Sequence, residues 1–180
     1  MKLKFVFILL IQTFMLNAQL SNKAKILAKR LDTLLYAESS HIGIDGEENR
    51  IYNYFKKLSK IASNDELYYF AKNGSNALKL YSSKELLKRN DKRFLEIYKY
   101  YSDNPLIMKY WEGCISKKEN IANYLKGELY SAKFIVSLRD SILKEKRSNL
   151  IESQLKSIYE EGYKNLSQKN LDFYLNEIEK

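Results

Sequence analysis

Few side chains in this sequence of 180 residues are of the types that usually carry out chemistry. His41 is the only histidine and Cys114 the only cysteine. A hydrolase would have to place His41 beside a nucleophile such as Ser39 or Ser40, but neighbours in a loop do not establish catalytic geometry. One histidine and one cysteine also make no zinc site without several carboxylates. We therefore expect an ordinary loop histidine and no metal or cofactor.

Acidic residues offer two weaker alternatives. Residues 45–48 (DGEE) superficially resemble a calcium loop, but they lack the alternating oxygen ligands and the distant bidentate acid of such loops. We expect Glu47 and Glu48 to lie at the start of the next helix instead, where negative charge is favourable. Glu160 and Glu161 would supply a carboxylate pair for glycoside hydrolysis, although any helical protein offers such pairs.

The first 18 residues have the pattern of a secretory signal. Lys2 and Lys4 make a basic start, Phe5 begins an apolar run, and the small residue Ala18 precedes Gln19. The apolar run is too short to span a bilayer, which needs about 20 residues. The alternative is an N-terminal helix that packs in the core or remains as an anchor. We expect residues 19–180 to form one exported domain, periplasmic or secreted, with no transmembrane segment after signal cleavage.

The chain is basic, with 31 lysines and arginines against 22 acids and a formal net charge of +9. This balance favours anionic partners. Outside the cytoplasm these are acidic proteins or anionic envelope components such as lipid head groups, and nucleic acid is not expected as a partner. The alternative is compositional, because an AT-rich genome also gives a chain rich in lysine, asparagine, isoleucine and tyrosine.

Apolar residues recur at helical spacing along nearly the whole chain after the signal, and strand-like alternation persists nowhere. Residues 63–66 (SNDE) and 116–119 (SKKE) match the capping box, and Pro105 suits the first position of a helix. A polar break is expected over residues 39–48. The predicted helices cover residues 22–38, 76–89, 92–102, 129–143, 150–163 and 167–179, with further helices around residues 51–61, 67–71, 107–115 and 121–125.

A series of short helices, each begun by its own cap, is typical of a two-layer stack of helix pairs. The predicted fold class is therefore all-α, a short stack of antiparallel helix pairs. We expect Leu86 and Trp111 in its core. Cys114 falls on the same predicted helical face as Trp111, so we expect it to be a small buried residue as well.

One stretch of the chain resembles a known repeat. Residues 76–87 (NALKLYSSKELL) resemble the second helix of a HEAT repeat, although Asn76 stands where that helix has proline and Lys79 where it has arginine. Leu58 to Leu67, the break at Asn90-Asp91 and residues 104–115 are similar to a group of small exported bacterial HEAT-repeat-like proteins. This resemblance covers most of the chain after the signal. It implies an α-solenoid used as a contact surface, and it implies no catalytic residues.

Aromatic residues are too dense in the middle of the chain for all of them to point inward. If Phe70 and Tyr101 face the core, their neighbours, about 100° away around the helix, are left near the surface. Basic residues lie in the same stretch, and surface tyrosine beside arginine and lysine is typical of contact surfaces. The alternative is an ordinary solvated face of a lysine-rich protein. The predicted partner-binding residues are Tyr68, Tyr69, Lys88, Arg89, Lys92, Arg93 and Tyr100.

Two functions from different classes follow. The first is an exported, non-enzymatic helical-repeat protein that binds another protein or an envelope component. The second is a small envelope hydrolase that uses a carboxylate pair or His41. A deep pocket lined by acids with raised pKa values would favour the hydrolase, and a shallow tyrosine-rich face would favour the binding protein.

We predict that the chain is cleaved after Ala18, because the apolar run ends there at a small residue. Mass spectrometry of the protein from its native host should find Gln19, cyclised or not, at the N-terminus. Recovery of intact Met1 in the membrane fraction would contradict both the export signal and the domain boundary.

Overall fold

The structure, a computed structural model, describes residues 20–43, 47–144 and 149–180. The predicted signal, residues 1–18, lies outside the described residues, and so do the first two residues of the acidic run at 45–48. In the described ranges, no helix is long and apolar enough to cross a membrane. The helices are α1 (Asn22–Ala28), α2 (Arg50–Ser59), α3 (Asn64–Asn73), α4 (Asn76–Lys88), α5 (Arg93–Asp103), α6 (Ile121–Ile142), α7 (Asn149–Glu160) and α8 (Gln168–Ile178). The strands are β1 (Tyr36–Ile42), β2 (Glu47–Glu48), β3 (Ile107–Gly113) and β4 (Ile115–Asn120).

The strands form one sheet in the order β2–β1–β3–β4, so the predicted all-α fold, a HEAT-like stack of helix pairs, is wrong. β1 and β3 are parallel neighbours, while β1–β2 and β3–β4 are antiparallel pairs. Two parallel strands need a long crossover, and here α2 to α5 supply it. The fold is therefore mixed α/β, with helices packed against a mixed sheet.

The predicted helix over residues 22–38 is wrong beyond Ala28, where α1 ends. The chain makes turns as far as Thr33 and then enters β1, which occupies part of the predicted polar break. Leu31 fits the helical spacing of apolar residues, but it lies in the turn after α1, where its side chain is fully buried in the core. Ala37 is also fully buried between two half-buried neighbours, which is the alternation of a strand.

The predicted helix around residues 107–115 and the capping box at 116–119 are also wrong, because both segments are strands. They pair as an antiparallel hairpin in which Glu112 lies opposite Ile115. The turn between them is Gly113-Cys114, and Gly113 has a φ of 57°. Glycine at the first position with positive φ suits a two-residue hairpin turn. Pro105 consequently precedes a strand.

The burial pattern along β3 has a period of two. Met108 is buried, while Ile107 and Lys109 on either side of it are exposed. Trp111 is only half-buried and Cys114 is exposed in the hairpin turn, so the predictions that both are core residues are wrong. Aromatic and β-branched residues favour strands, and this preference outweighs the helical spacing of the same residues.

The predicted capping box at the start of α3 is confirmed. The Ser63 hydroxyl accepts from the Glu66 backbone N–H at 3.1 Å, and the Glu66 carboxylate accepts from the Ser63 N–H at 2.7 Å. The same carboxylate accepts from the backbone N–H of Ser21, the cap of α1, at 2.7 Å. One buried acid thus anchors the first turns of two helices.

Helix α4 lies at the centre of the fold and packs against α2, α3, α5, α6 and β1. The Tyr81 hydroxyl fastens it to the sheet, because this hydroxyl donates to the Glu38 carbonyl and accepts from the Glu38 N–H, both at 2.7 Å. Leu86 is fully buried, as predicted. The buried residues of α4 are Ala77, Leu78, Leu80, Tyr81, Ser82, Ser83, Leu86 and Leu87.

We predict that Leu86→Ala lowers the free energy of unfolding by about 2–5 kcal/mol, because it empties space in a closed core. Trp111→Ala should cost less than Leu86→Ala, since the indole is half-exposed on the outer sheet face. Urea unfolding followed by circular dichroism measures both, because the second variant removes the only tryptophan. A larger loss for Trp111→Ala would contradict the register of β3.

Candidate functional site

The two arginines among the predicted partner-binding residues, Arg89 and Arg93, are held in contacts within the protein. Arg89 Nη1 donates to the Ala62 carbonyl at 2.9 Å and to Asn64 Oδ1 at 3.0 Å. Arg89 Nε pairs with Glu85 Oε1 at 2.9 Å. These bonds fasten the end of α4 to the connection between α2 and α3.

Arg93 pairs with two carboxylates at the start of α5. Its Nε and Nη2 donate to the two oxygens of Asp91 at 2.9 and 2.7 Å, and its Nη1 lies 2.5 Å from Asp65 Oδ1. The Arg93 bonds lower the pKa of Asp91, outweighing the effect of burial. Lys92 is exposed, whereas Lys88 lies inside the protein. Binding of an anionic partner by Lys88, Arg89, Lys92 and Arg93 stays a prediction.

Tyr68, Arg93 and Tyr100, three of the predicted partner-binding residues, come together on the adjoining surfaces of α3 and α5. Lys72 of α3 lies beside them. Lys72 Nζ lies 5.7 Å from the ring centroid of Tyr68 and 5.2 Å from that of Tyr100. The Arg93 guanidinium lies 5.3 Å from the Tyr68 ring, and the Tyr68 hydroxyl donates to Glu96 Oε2 at 2.9 Å. We call these five residues the tyrosine face. Their cation–π contacts are each worth about 0.5–1 kcal/mol at exposed sites.

The remaining predicted tyrosine, Tyr69, is exposed by 40 %, and Tyr100 of the tyrosine face by 43 %. The ring of Tyr69 packs edge-on against Phe70, and that of Tyr100 packs edge-on against Tyr101. In both pairs the inner ring is buried, as the helical spacing predicted. The outer rings therefore sit on fixed supports while much of their surface faces solvent.

A second feature, which the sequence analysis missed, is a cavity of about 180 Å³ between the β3–β4 hairpin and helices α4 and α6. Lys84 and Glu128 line it from the helices. Glu112, Lys117 and Glu119 line it from the hairpin. Charged groups of both signs therefore face one space, which is partly open to solvent on the side of the hairpin.

Lys84 and Glu128 form a largely buried ion pair, with Nζ 3.0 Å from Oε2 and side-chain exposures of 16 % and 12 %. Lys88, one turn further along α4, lies 3.9 Å from Glu128 Oε1. The Tyr163 hydroxyl donates to the same oxygen at 2.6 Å. We call these four residues the Lys84–Glu128 cluster. It holds two cations and one carboxylate.

Aromatic rings lie against both lysines of the cluster. Lys84 Nζ donates to the Tyr110 hydroxyl at 3.3 Å and lies 4.5 Å from the centroid of the same ring. Lys88 Nζ lies 4.7 Å from the ring centroid of Tyr163. Because cation–π attraction is stronger where water is excluded, these rings help to hold both charges inside the protein.

The segment between α7 and α8 places Tyr163 against Glu128. Arg139 of α6 is buried, and its guanidinium donates to carbonyl groups of this segment, including that of Tyr163 at 2.5 Å. Gly162 has a φ of 97°, and a Cβ there would lie 3.2 Å from Lys88 Cδ. A side chain at this position would therefore strain the backbone and crowd the lysine.

The other wall of the cavity is fixed by two polar residues. The Tyr124 hydroxyl of α6 donates to the Lys117 carbonyl at 2.8 Å. Asn120, the cap of α6, accepts from the Leu106 N–H at 3.2 Å and donates to the Tyr101 carbonyl at 2.9 Å. These bonds hold the hairpin at a set distance from α6.

The ion pair of the cluster stays charged across the neutral range. Burial raises the pKa of a carboxyl, but the charges of Lys84 and Lys88 and the Tyr163 bond outweigh it and lower the pKa of Glu128 to about 2. Burial lowers the pKa of Lys84, but the Glu128 charge outweighs it and the pKa rises above its usual value. Burial and Glu128 together raise the pKa of Tyr163. An acid or base for catalysis works best with a pKa near the operating pH.

The other candidate chemical groups lie at the surface. Ser40 Oγ lies 3.1 Å from His41 Nδ1, and Ser39 Oγ donates to the His41 carbonyl. These contacts join neighbours at an exposed end of β1, which gives no water-excluding space for a reaction. Glu160 and Glu161 are both exposed. In the ranges that the structure describes, no group of three or more His, Cys, Asp or Glu is placed to hold a metal ion.

One feature of the sequence indicates the Lys84–Glu128 cluster. Lys84 and Lys88 stand one turn apart in a segment that is otherwise rich in apolar residues, and Glu128 is the only acid between Asn120 and Arg139. A lone acid in a long apolar helix is typical of a buried ion pair, because a charge inside a protein needs a partner. The sequence does not show which helices meet.

We predict that Glu128→Gln destabilises the protein at neutral pH by about 3–5 kcal/mol, because it leaves two enclosed lysines without their carboxylate. The depressed pKa of Glu128 means that its contribution is complete above the unfolded value of about 4.5 and is lost as pH falls toward about 2. The difference in unfolding free energy between wild type and variant should therefore shrink as pH falls through this window.

Urea unfolding from pH 6.5 to pH 3 measures this difference. The control is Glu47→Gln, which neutralises an exposed acid of β2. The control should unfold like the wild type throughout. A constant difference between Glu128→Gln and the wild type at every pH would contradict the depressed pKa.

Comparison of the chain with protein-family models, with curated proteins and with solved structures gave no match. The resemblance to HEAT-repeat-like proteins is therefore not supported by any relative, and the sheet contradicts the fold that it implies. The function is accordingly inferred from the residues and geometry of this chain.

Proposed function

We propose that the protein is an exported, non-enzymatic binding protein whose tyrosine face contacts an acidic protein of the cell envelope. The observation that carries the proposal is the arrangement of Tyr68, Lys72 and Tyr100, in which an ammonium group lies beside two rings on adjoining helices. Such a surface offers apolar area and positive charge together.

Tyrosine is favourable for contacts because it presents a large, rigid and amphipathic surface. Tyrosine and arginine are enriched among the residues that dominate binding energy at interfaces. Here Tyr100 is supported from behind by the buried Tyr101 ring, so docking would order few new side-chain rotations. This support favours the interpretation of the tyrosine face as a preformed contact surface over its interpretation as an ordinary solvated face.

Charge complementarity favours an acidic partner. Asp91 and Asp65 already pair with Arg93, so the positive charge left at the tyrosine face is that of Lys72 and the neighbouring exposed Lys92. Glu96 is the acid that the face itself contributes. Without Lys2 and Lys4 of the predicted signal, residues 19–180 hold 29 lysines and arginines against 22 acids, a formal net charge of +7, which attracts anionic proteins.

The charged cavity supports binding over the hydrolase alternative. Glycoside hydrolysis needs an acid whose pKa is raised toward neutrality. Glu128, the largely buried acid of the cavity, has instead a pKa lowered to about 2. Its protonated form is negligible at neutral pH, so it is unsuited to donate a proton.

We predict that Tyr100→Ala lowers recovery of the partner from the host envelope by about 30-fold, as expected for a residue worth about 2 kcal/mol at an interface. Lys72→Glu should weaken recovery further and reduce its sensitivity to salt, since exposed charges are screened over a Debye length of about 8 Å. The measurement is capture on the immobilised protein at several salt concentrations, with mass spectrometry of what is retained.

Two matched variants serve as controls. Tyr130→Ala removes a tyrosine of α6 that is exposed by 46 %, close to the value for Tyr100, and Lys57→Glu reverses an exposed lysine of α2. Both should recover the partner as the wild type does. Equal losses for Tyr100→Ala and Tyr130→Ala, or a captured partner that is itself basic, would contradict the proposal.

A further inference from the structure

We propose that the cavity between the β3–β4 hairpin and helices α4 and α6 binds a small zwitterion of amino-acid size. Its anionic group would lie at Lys84 and Tyr110, and its cationic group at the hairpin acids Glu112 and Glu119. This site is separate from the tyrosine face and does not depend on it.

Two hydrogen-bond donors, Lys84 of α4 and Tyr110 of β3, meet where the helix faces the hairpin. An ammonium group has three N–H donors, and Lys84 directs one to Glu128 and one to the Tyr110 hydroxyl. Among the residues that the structure describes, no further acceptor takes the third N–H, which is therefore open to a ligand. The Tyr110 hydroxyl accepts from Lys84 and keeps its own proton to donate. A carboxylate is the group that takes two such neighbouring donors.

The charge balance of the Lys84–Glu128 cluster also favours an anion. Lys84 and Lys88 together carry two positive charges, while Glu128 carries one negative charge and Tyr163 stays neutral. The side chains of all three ions are at least 84 % buried, so the excess charge is poorly solvated. An anionic group bound at Lys84 would neutralise this excess.

The hairpin side of the cavity carries an excess of negative charge. Tyr110 lies opposite Lys117 and Glu112 opposite Ile115, so these side chains share the sheet face that lines the cavity. Glu119, two residues beyond Lys117, shares that face as well. Two carboxylates against one ammonium would repel a simple anion and attract an ammonium group.

The volume limits the size of the ligand. A cavity of about 180 Å³ is smaller than the roughly 300–1,000 Å³ of sites for drug-sized molecules. The cluster and the hairpin together contribute three lysines and three glutamates. Their charges cancel, which suits a ligand without net charge. A free amino acid, or one end of a short peptide, meets both conditions.

The test uses the protein purified from its host and four probes, with binding measured by calorimetry and by the amide resonance of Gly127, which lines the cavity. L-alanine and glycylglycine are zwitterions, whereas acetate and methylammonium carry one charge each. We expect at least one zwitterion to bind at least 10-fold more tightly than either single ion. Failure of both zwitterions to bind saturably, or equal binding of acetate, would overturn the proposal.

Variants locate the two ends of the ligand. The double variant Glu112→Gln/Glu119→Gln leaves the Lys84–Glu128 cluster intact and should weaken the zwitterion at least 10-fold. Lys118→Met is the matched control, because Lys118 follows Lys117 on the opposite face of β4. It should bind as the wild type does, and so should Tyr100→Ala. An unchanged affinity in the double variant, or an equal loss in Lys118→Met, would overturn the proposed site.

Discussion

The structure depends on one constraint, which is that helix α4 is buried on every side and yet carries lysines. Its buried residues pack against four helices and a strand, so Lys84 and Lys88 extend into the protein before they can reach water. Burying an ammonium group without a partner costs several kcal/mol. Glu128 of α6 is the carboxylate partner of both lysines, and these ion pairs therefore constrain how α6 packs against α4.

The cavity follows from the same constraint. Buried ionic groups restrict which side chains can surround them, because each needs oriented donors and acceptors. Tyr163, held by Arg139, completes one side of Glu128, while Tyr110 completes one side of Lys84. The space beside the Lys84–Glu128 pair is bounded by a hairpin that carries an excess of negative charge.

Sequence patterns predicted the parts of the fold that local interactions decide. The start of α3 follows from the Ser63–Glu66 box, and the predicted helix over residues 76–89 matches α4 within a residue. β3 was missed because its apolar residues also fit a helix, and only the pairing with β1 and β4 decides between them. Gly113 was the local sign of a hairpin turn. Lys84 and Glu128 were missed because their partnership needs the packing of α4 on α6, which no local pattern contains.

Basic residues that look equivalent in the sequence take up two different roles. Arg89 fastens the end of α4 to the connection between α2 and α3, whereas Arg93 pairs with carboxylates at the start of α5. Lys88 lies inside the protein, where it faces Glu128. The positive charge that remains on the surface is carried by residues such as Lys92 and Lys72. Attraction of an anionic partner to this part of the molecule then depends on few charges, and the energy of contact must come largely from aromatic area. A basic composition therefore favours encounter, while the supported tyrosines of α3 and α5 determine where contact is made.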